Sequence, residues 1–448
     1  MLDRDPSTIV AICTPRGRGG IGMVRLSGDQ ALAIGRRLFH SRPRLGGRAR
    51  HVTHGKVVDH LDRPVDGAMA WYLVGPGTYT GEDVVEITTH GSDAVLDLVV
   101  DRARELGARQ ALPGEFTRRA FLHGRIDLLQ AEAVADLIHA KSQGGLRAAY
   151  GVLGGDLSHR VRVLREDVVD VLARLEGMLD FSDDVSAAEL GDMESALAGV
   201  EERAVGLVAS FSGARSRLQG FTVVLAGLPN AGKSTLLNAL LGEERSIVTD
   251  IPGTTRDWVE GFTTWSGEAV RLVDTAGLVE SEDVVEQAGV SRTRQQLAAA
   301  DLVLHVIDGS AGPTSSPYEP VEFGGLARVI VLSKADLPPS AGLDISGEAQ
   351  RVSAKTGQGL PRLREAVLRH LPGRGEDEGA APLRERHRDA LSSVAAATAQ
   401  TRQLLSENSW EVAATELHGA LRCIGELLGE TADDAVLDRI FAQFCIGK

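Results

Sequence analysis

The segment Gly227-Leu228-Pro229-Asn230-Ala231-Gly232-Lys233-Ser234 fits the pattern G-x-x-x-x-G-K-[ST]. An apolar run, Phe221-Thr222-Val223-Val224-Leu225-Ala226, precedes it, and a helix-type stretch, Thr235-Leu236-Leu237-Asn238-Ala239-Leu240-Leu241, follows. Strand, glycine-rich loop and helix start make a phosphate cradle. The glycines let backbone N–H groups converge on phosphate oxygens, and the helix N-terminus adds partial positive charge. In such a cradle Lys233 reaches the β- and γ-phosphates and Ser234 ligates Mg2+, with Asn230, Ala231, Gly232 and Thr235 beside them. The competing reading is an ordinary glycine-rich turn, and the motifs downstream weigh against it.

Residues 221–370 alternate strand and helix patterns, as a parallel α/β sheet requires, with apolar runs at Val270–Val273, Leu302–Ile307 and Val329–Leu332. Asp274-Thr275-Ala276-Gly277 closes one of these strands as D-x-x-G, which sets an acid near Mg2+ and a glycine N–H near the γ-phosphate. Between it and the first loop lies Val248-Thr249-Asp250-Ile251-Pro252-Gly253-Thr254-Thr255, in which Thr255 is the candidate to complete the Mg2+ shell. Lys334-Ala335-Asp336 follows the strand at 329–332. A carboxylate there accepts N1–H and the exocyclic amine of guanine, a pair that adenine does not offer. Ser353-Ala354-Lys355 would give a backbone N–H to guanine O6. Four motifs in this order specify a GTP site.

Two positions depart from the usual pattern. Ser333 stands where guanine-binding motifs carry Asn, and one lost neutral hydrogen bond is worth about 1 kcal/mol, somewhat under tenfold in affinity. Leu278 stands where Ras-type GTPases carry the Gln that positions the attacking water. An apolar side chain cannot do this, so another group must orient water and offset transition-state charge.

The whole chain has 448 residues, 43% of them hydrophobic, a net charge of -14 and a pI of about 5.4. A protein that coats nucleic acid uniformly is unlike this, although a local basic face is compatible with it. Cys13, Cys423 and Cys445 are far apart and form no C-x-x-C, which argues against a disulfide framework or zinc site and fits a reducing compartment. No secretory signal is visible at the start, and no apolar run reaches the ~18 residues of a membrane span. A cytoplasmic protein without a membrane partner is expected.

Outside the nucleotide module, residues 8–13 read as a buried strand, followed by the glycine-rich turn Thr14–Gly22 and a strand at Met23–Leu26. A tight hairpin connection is the favoured reading of that turn. Helices are expected at 29–39 and 93–106, with paired strands at 52–58 and 68–74, which makes an α+β domain. Helical periodicity follows at 126–140, 146–181 and 196–218, and resumes from 383 to 443 after a polar hinge at 371–379. The expected organisation is therefore 1–120 (α+β), 121–219 (helical, first part), 220–375 (nucleotide module, inserted) and 376–448 (helical, second part). Two arginine-rich runs, at Arg36, Arg37, Arg42, Arg44, Arg48 and Arg50 and at Arg384, Arg386 and Arg388, are either phosphate contacts or solvated charge.

These residues and their flanks resemble the MnmE (TrmE) family of tRNA-modifying GTPases along the whole chain. The likeness rests on Thr14-Pro15-Arg16-Gly17-Arg18-Gly19-Gly20, Thr80-Gly81-Glu82-Asp83, Pro113-Gly114-Glu115-Phe116-Thr117-Arg118-Arg119-Ala120-Phe121-Leu122, Gly253-Thr254-Thr255-Arg256-Asp257 and the terminal Phe444-Cys445-Ile446-Gly447-Lys448. The resemblance implies an N-terminal folate-binding and dimerising domain, a helical domain and an inserted Ras-like P-loop G domain. It implies a homodimer that works with MnmG, an FAD protein, to install a carboxymethylaminomethyl or aminomethyl group on C5 of the wobble uridine of certain tRNAs. The one-carbon unit would come from 5-formyl- or methylene-tetrahydrofolate.

The resemblance also supplies what the missing Gln leaves undone. It implies that K+ acts in place of an arginine finger, held by Asn230 with Thr249, Ile251 and Thr254, and that Glu286 orients the water. Val279 replaces the family's usual Arg. The family's folate contacts fall on Arg25, Glu86, Arg125 and Lys448, and Cys445 is a candidate reactive thiol, with a buried structural cysteine as the equal alternative. A GTP-switched ribosome-assembly or scaffold factor without modification chemistry is the competing function.

Overall fold

The structure, a computed structural model, describes residues 5–180, 187–242, 260–274, 300–311, 326–340, 349–371, 381–431 and 433–448. The chain divides into two compact units, one of residues 1–135, 158–165 and 418–448, the other of 136–157 and 166–417.

The first unit is built on a seven-stranded sheet in the order β3-β4-β5-β6-β2-β1-β7. Its strands are β1 (Ile9–Ile12), β2 (Gly19–Ser27), β3 (Phe39–Ser41), β4 (Thr53–Val58), β5 (Pro64–Leu73), β6 (Val84–Gly91) and β7 (Arg109–Gln110). Helices α1 (Ala31–Leu38) and α2 (Asp93–Glu105) lay Ile34, Leu38, Leu96 and Val99 on Val10, Val24, Leu26, Val85 and Ile87. This is the expected α+β domain. One boundary differs from expectation: β2 begins at Gly19, inside the stretch read as turn. The cause is packing. A Cβ at Gly91 would lie 2.5 Å from the Gly19 carbonyl oxygen, and one at Gly22 would lie 2.7 Å from the Leu96 side chain, so these glycines let β2 pack closely on β6 and α2.

Helices α3 (Glu115–Leu122) and α4 (Leu128–His139) follow the sheet, then α5 (Gln143–Leu153) and α6 (Asp156–Asp180). The periodicity read across 146–181 is broken at Gly154-Gly155, where Gly155 has φ +94°. Helix α7 (Ala187–Gln219) leads to the nucleotide module, β8 (Phe221–Ala226), α8 (Lys233–Leu241), β9 (Glu260–Trp265), β10 (Glu268–Asp274), β11 (Leu302–Asp308), β12 (Arg328–Ser333), β13 (Gln350–Arg351) and α9 (Leu360–His370). The chain ends with α10 (Glu385–Ser406), α11 (Trp410–Leu428) and α12 (Asp434–Phe441).

The module's sheet runs β13-β12-β11-β8-β10-β9. It is parallel except at β9, which pairs antiparallel with β10. A two-residue turn, Ser266-Gly267 with φ 51° and +85°, joins these two strands, and so short a connection can only make a hairpin. The same turn is fastened to the connection between α4 and α5. Gln143 N–H donates to the Gly267 carbonyl (3.2 Å), and the Lys141 ammonium sits 3.8 Å over the Phe262 ring. Ser142 caps α5 through Gly145 N–H and donates to the Arg217 carbonyl at 3.0 Å. The strand that ends in Asp274 is thereby held at its far end.

In the first unit the chain terminus packs against α3. Gly114 N–H and Phe116 N–H donate to the main-chain oxygens of Cys445 (3.4 Å) and Lys448 (3.2 Å), and the Phe121 and Phe441 rings meet at 6.5 Å. Gly447, at φ +98°, lies against β1 so closely that a Cβ would be 2.3 Å from the Ile12 carbonyl oxygen. Helix α3 is tied to the sheet by buried charge: Arg119 pairs with Glu82 (3.0 Å) and Glu115 (3.2 Å), and Arg109 holds Glu115 at 2.6 Å. Arg119→Ala leaves the buried Glu115 and half-buried Glu82 without their shared cation and should cost this unit about 3–5 kcal/mol in denaturant unfolding, with Arg119→Lys recovering part.

Burial pushes the Glu115 carboxyl up, but the bonds from Arg109 and Leu112 N–H and the Arg109 and Arg119 charges outweigh it, so its pKa lies below the usual value. A depressed folded-state pKa stabilises fully above the unfolded value of about 4.3 and is lost as pH falls through the folded one. Acid titration of unfolding should therefore show this loss in the wild type and a smaller one in Arg119→Ala.

Candidate functional site

The phosphate-binding loop is shaped by left-handed backbone. Gly227 has φ +152°, Asn230 φ +63° and Gly232 φ +90°. At Gly227 a Cβ would lie 2.1 Å from the Val306 carbonyl oxygen of β11, so no other residue fits there. Lys233 is 5% exposed and its ammonium donates to the Gly227 and Leu228 carbonyls, both at 2.9 Å. That aims the charge across the loop mouth, and burial draws its pKa down against the pull of Asp274. Ser234 and Thr235 are exposed at the start of α8. Ser234 Oγ donates to Asp274 Oδ2 at 2.5 Å, which joins the end of β8's loop to the end of β10. Hydroxyl and carboxylate are hard oxygen donors, the set that suits Mg2+. Asn230 presents an exposed side chain at the loop tip.

The base-recognition motifs meet along the neighbouring strand ends. Ser353 Oγ donates to Asp336 Oδ1 (2.7 Å) and Ala335 N–H to the Val352 carbonyl (3.1 Å). The Ser353 bond holds the Asp336 carboxyl below its ordinary pKa, so an exposed acceptor is ready at neutral pH. Ser353 N–H donates to the Gln358 carbonyl at 2.9 Å. Within Ser353-Ala354-Lys355 the N–H groups left for a base oxygen are therefore those of Ala354 and Lys355. Lys334, at φ 56°, donates to Asp308 Oδ2 at 2.6 Å, and Ser310 binds the other oxygen of Asp308. Sequence reading missed Asp308 and Ser310. A carboxylate at a strand end followed two residues later by serine, D-x-S, was the available signal.

Ser333 shows what replaces the usual Asn. Its hydroxyl is buried, donates to the Ala231 carbonyl of the phosphate loop at 2.6 Å and lies 3.2 Å from the Ile307 carbonyl. The tether between base motif and phosphate loop is therefore made, with one donor fewer. Ser333→Asn should still tighten GTP binding, by less than tenfold and with guanine still preferred over adenine; titration calorimetry giving equal affinity in both proteins would refute this.

In the first unit, Arg25 on β2 and Glu86 on β6 are register partners and their side chains pair, Nε to Oε1 at 2.7 Å. Trp71 Nε1 donates to the other Glu86 oxygen at 2.7 Å, and the Arg25 guanidinium lies 5.5 Å from the Phe116 ring centroid. Phe116 N–H in turn holds the main-chain oxygen of Lys448. Arg25 thus links Glu86 to the Phe116 ring, and the main-chain N–H of Phe116 links it to the chain terminus. Arg125 is exposed in the turn between α3 and α4. Cys445 is also exposed, whereas Cys13 is half-buried: burial raises its pKa, with the charges of Arg25, Glu86 and Lys448 acting on it. Cys13 is thus a second thiol within reach of the cluster's charges, and sequence reading overlooked it because β1 reads only as an apolar run.

Two family models match the chain, one described as the N-terminus of GTP-binding protein TrmE over residues 8–125, the other as the MnmE helical domain over residues 128–445. The chain belongs to the MnmE family. Proteins named tRNA modification GTPase MnmE are similar end to end: 38% identity in Synechococcus sp. over 100% of both chains, 42% in Geobacter metallireducens over 98% of this chain and 99% of that one, and 39% in Neisseria meningitidis over 100% of both.

For this MnmE-family chain the α+β N-terminal domain, the helical domain and the P-loop α/β module are thereby the family's parts. Thr249, Asp250, Ile251, Pro252, Gly253, Thr254 and Thr255 lie outside the described residues, as do Thr275, Ala276, Gly277, Leu278, Val279 and Glu286. Among the described residues no helix is long and apolar enough to cross a membrane, and no three His, Cys, Asp or Glu side chains converge on a metal-ion site.

Proposed function

We propose that this chain is a GTP hydrolase whose nucleotide cycle serves the modification of tRNA. The observation that carries the reading is the placement of Lys233, the Ser234–Asp274 pair and the Ser353–Asp336 pair at the C-terminal ends of the parallel strands β8, β10, β12 and β13. Lys233 donates to the phosphate oxygens. Asp336 accepts from guanine N1–H and the amine, and Ala354 or Lys355 N–H donates to O6. Ser234 and Asp274 hold Mg2+ with Thr255, and Asn230 holds K+ with Thr249, Ile251 and Thr254. When bound, these ions offset the charge that develops on the phosphoryl oxygens. Glu286 orients the attacking water in place of the Gln that Leu278 displaces. The remaining nucleotide contacts are those of Gly232, Thr235, Thr275, Ala276 and Gly277.

The same reading assigns residues 1–120, 121–219, 220–375 and 376–448 to the N-terminal, helical, G and helical segments. It makes the protein a cytoplasmic homodimer that works with an FAD-dependent MnmG-type partner on the wobble uridine. A tetrahydrofolate one-carbon unit would be held at Arg25, Glu86, Arg125 and Lys448. A carboxylate suits the amino-pyrimidine edge of a pterin and cations suit a glutamyl tail, and the pairing of Arg25 with Glu86 presets both groups. Cys445, or Cys13 by its surroundings, is the thiol to test there.

GTP hydrolysis by the full chain should run at least tenfold faster in K+ than in Na+ at equal ionic strength, and Asn230→Ala should abolish the difference. Equal rates in the two salts would refute the role of Asn230.

A further inference from the structure

Between Asp29 and Asp59 the chain carries Arg36, Arg37, Arg42, Arg44, Arg48, Arg50 and Lys56 and no carboxylate, in a protein whose net charge is -14. The fold brings these cations to the β3 edge of the first unit's sheet. They sit at the end of α1, on the loop between β3 and β4, and on β4. The loop is held firmly: Leu45 is buried, Arg36 Nε donates to its carbonyl at 2.9 Å, Arg50 N–H donates to the Tyr72 carbonyl at 2.8 Å, and Arg50 Nη2 donates to the Gly77 carbonyl at 2.7 Å. Arg36 and Arg50 are thus scaffold. Arg37, Arg42, Arg44, Arg48 and Lys56 are exposed, and none has a carboxylate partner among the described residues. Lys56 stands opposite His40 on the strand pair, on the same solvent face as His54.

Charge of one sign so concentrated repels itself unless something compensates it. Carboxylates around it are turned to other partners, Asp59 to Arg63 (2.8 Å), Asp66 to His90 (2.8 Å) and Asp83 to Tyr72 (2.5 Å), and Asp62 lies 4.0 Å from His40. The other arginine-rich run is unlike this. Arg384 pairs with Asp136 (2.9 Å) and Arg388 with Asp389 (2.7 Å).

We propose that the exposed surface of residues 37–56 binds the phosphate backbone of RNA. Guanidinium forks suit phosphate oxygens, and a loop already fixed by Leu45, Arg36 and Arg50 loses little entropy on binding. Contacts of this kind position an RNA without reading its sequence. The inference rests on the proposed role in tRNA modification, which makes tRNA the RNA concerned.

The test is equilibrium binding of unfractionated tRNA to the full chain, followed by fluorescence anisotropy between 50 and 300 mM KCl, for wild type and the variant R37Q/R42Q/R44Q/R48Q. GTP hydrolysis alone reports whether the variant is folded and active. The variant should bind at least tenfold more weakly at 100 mM salt, its log–log salt slope should be shallower by about 3, and its hydrolysis should be unchanged. Equal affinity and slope would overturn the surface assignment and leave the function reading standing. A wild-type chain with no affinity for tRNA would count against that function reading itself. A variant that keeps tRNA but no longer associates with its flavoprotein partner would overturn the RNA assignment in favour of an acidic protein surface.

Discussion

Asp336→Asn should lower the affinity for GDP and GTP by roughly a hundredfold or more and create affinity for xanthosine nucleotides. The carboxylate accepts two hydrogen bonds from guanine, each worth about 1.5–3 kcal/mol when one partner is charged. An amide can accept only one of them, and its NH2 group then faces the guanine amine, donor against donor. Xanthine carries an oxygen at that carbon, so the amide matches it. Ser353 Oγ, which donates to Asp336 Oδ1, bonds equally well to an amide oxygen, so the loop geometry survives the change. Competitive titration with fluorescent guanosine and xanthosine diphosphates reads the switch. An unchanged preference for guanine would show that the base lies elsewhere.

Lys233→Ala should reduce kcat for GTP hydrolysis about 10²–10³-fold and weaken nucleotide binding at least tenfold, as removing a preorganised charge from a developing anion generally does. Two losses combine. The phosphates lose their cation, and the Gly227 and Leu228 carbonyls lose the donor that holds the loop open. Lys233→Arg should not rescue activity, because the side chain is 5% exposed and the guanidinium is larger than the space the ammonium fills. Single-turnover hydrolysis with calorimetric binding separates the two losses, and a variant retaining wild-type kcat would remove Lys233 from the chemistry.

The nucleotide module was legible because its constraints are local. A glycine at φ +152° against a neighbouring carbonyl, a lysine six residues on and an acid at the end of the next parallel strand are each dictated by short-range geometry, and short motifs record that. The antiparallel β9 was missed because Glu-Gly-Phe-Thr-Thr-Trp at 260–265 is not an apolar run, and only the two-residue Ser266-Gly267 turn marks the hairpin. The break at Gly154-Gly155 was passed over because apolar residues recur at helical spacing on both sides. The cluster around Phe116 lay beyond any sequence-local argument. Its members Arg25, Glu86 and Lys448 are brought together by strand register and by a terminus that packs on β1 through Gly447. The 37–56 surface was visible as an arginine-rich run, but the choice between phosphate contacts and solvated charge needed burial and pairing.

The central claim is that guanine-nucleotide turnover on the 227–234 loop supports modification of the tRNA wobble base. Nucleoside analysis of wobble uridines in tRNA from cells lacking this chain, complemented with wild type or Asp336→Asn, tests it most directly. The expected result is unmodified wobble uridine in the deletion, restored by wild type and not by the variant. Fully modified wobble uridine in the deletion strain would contradict the account.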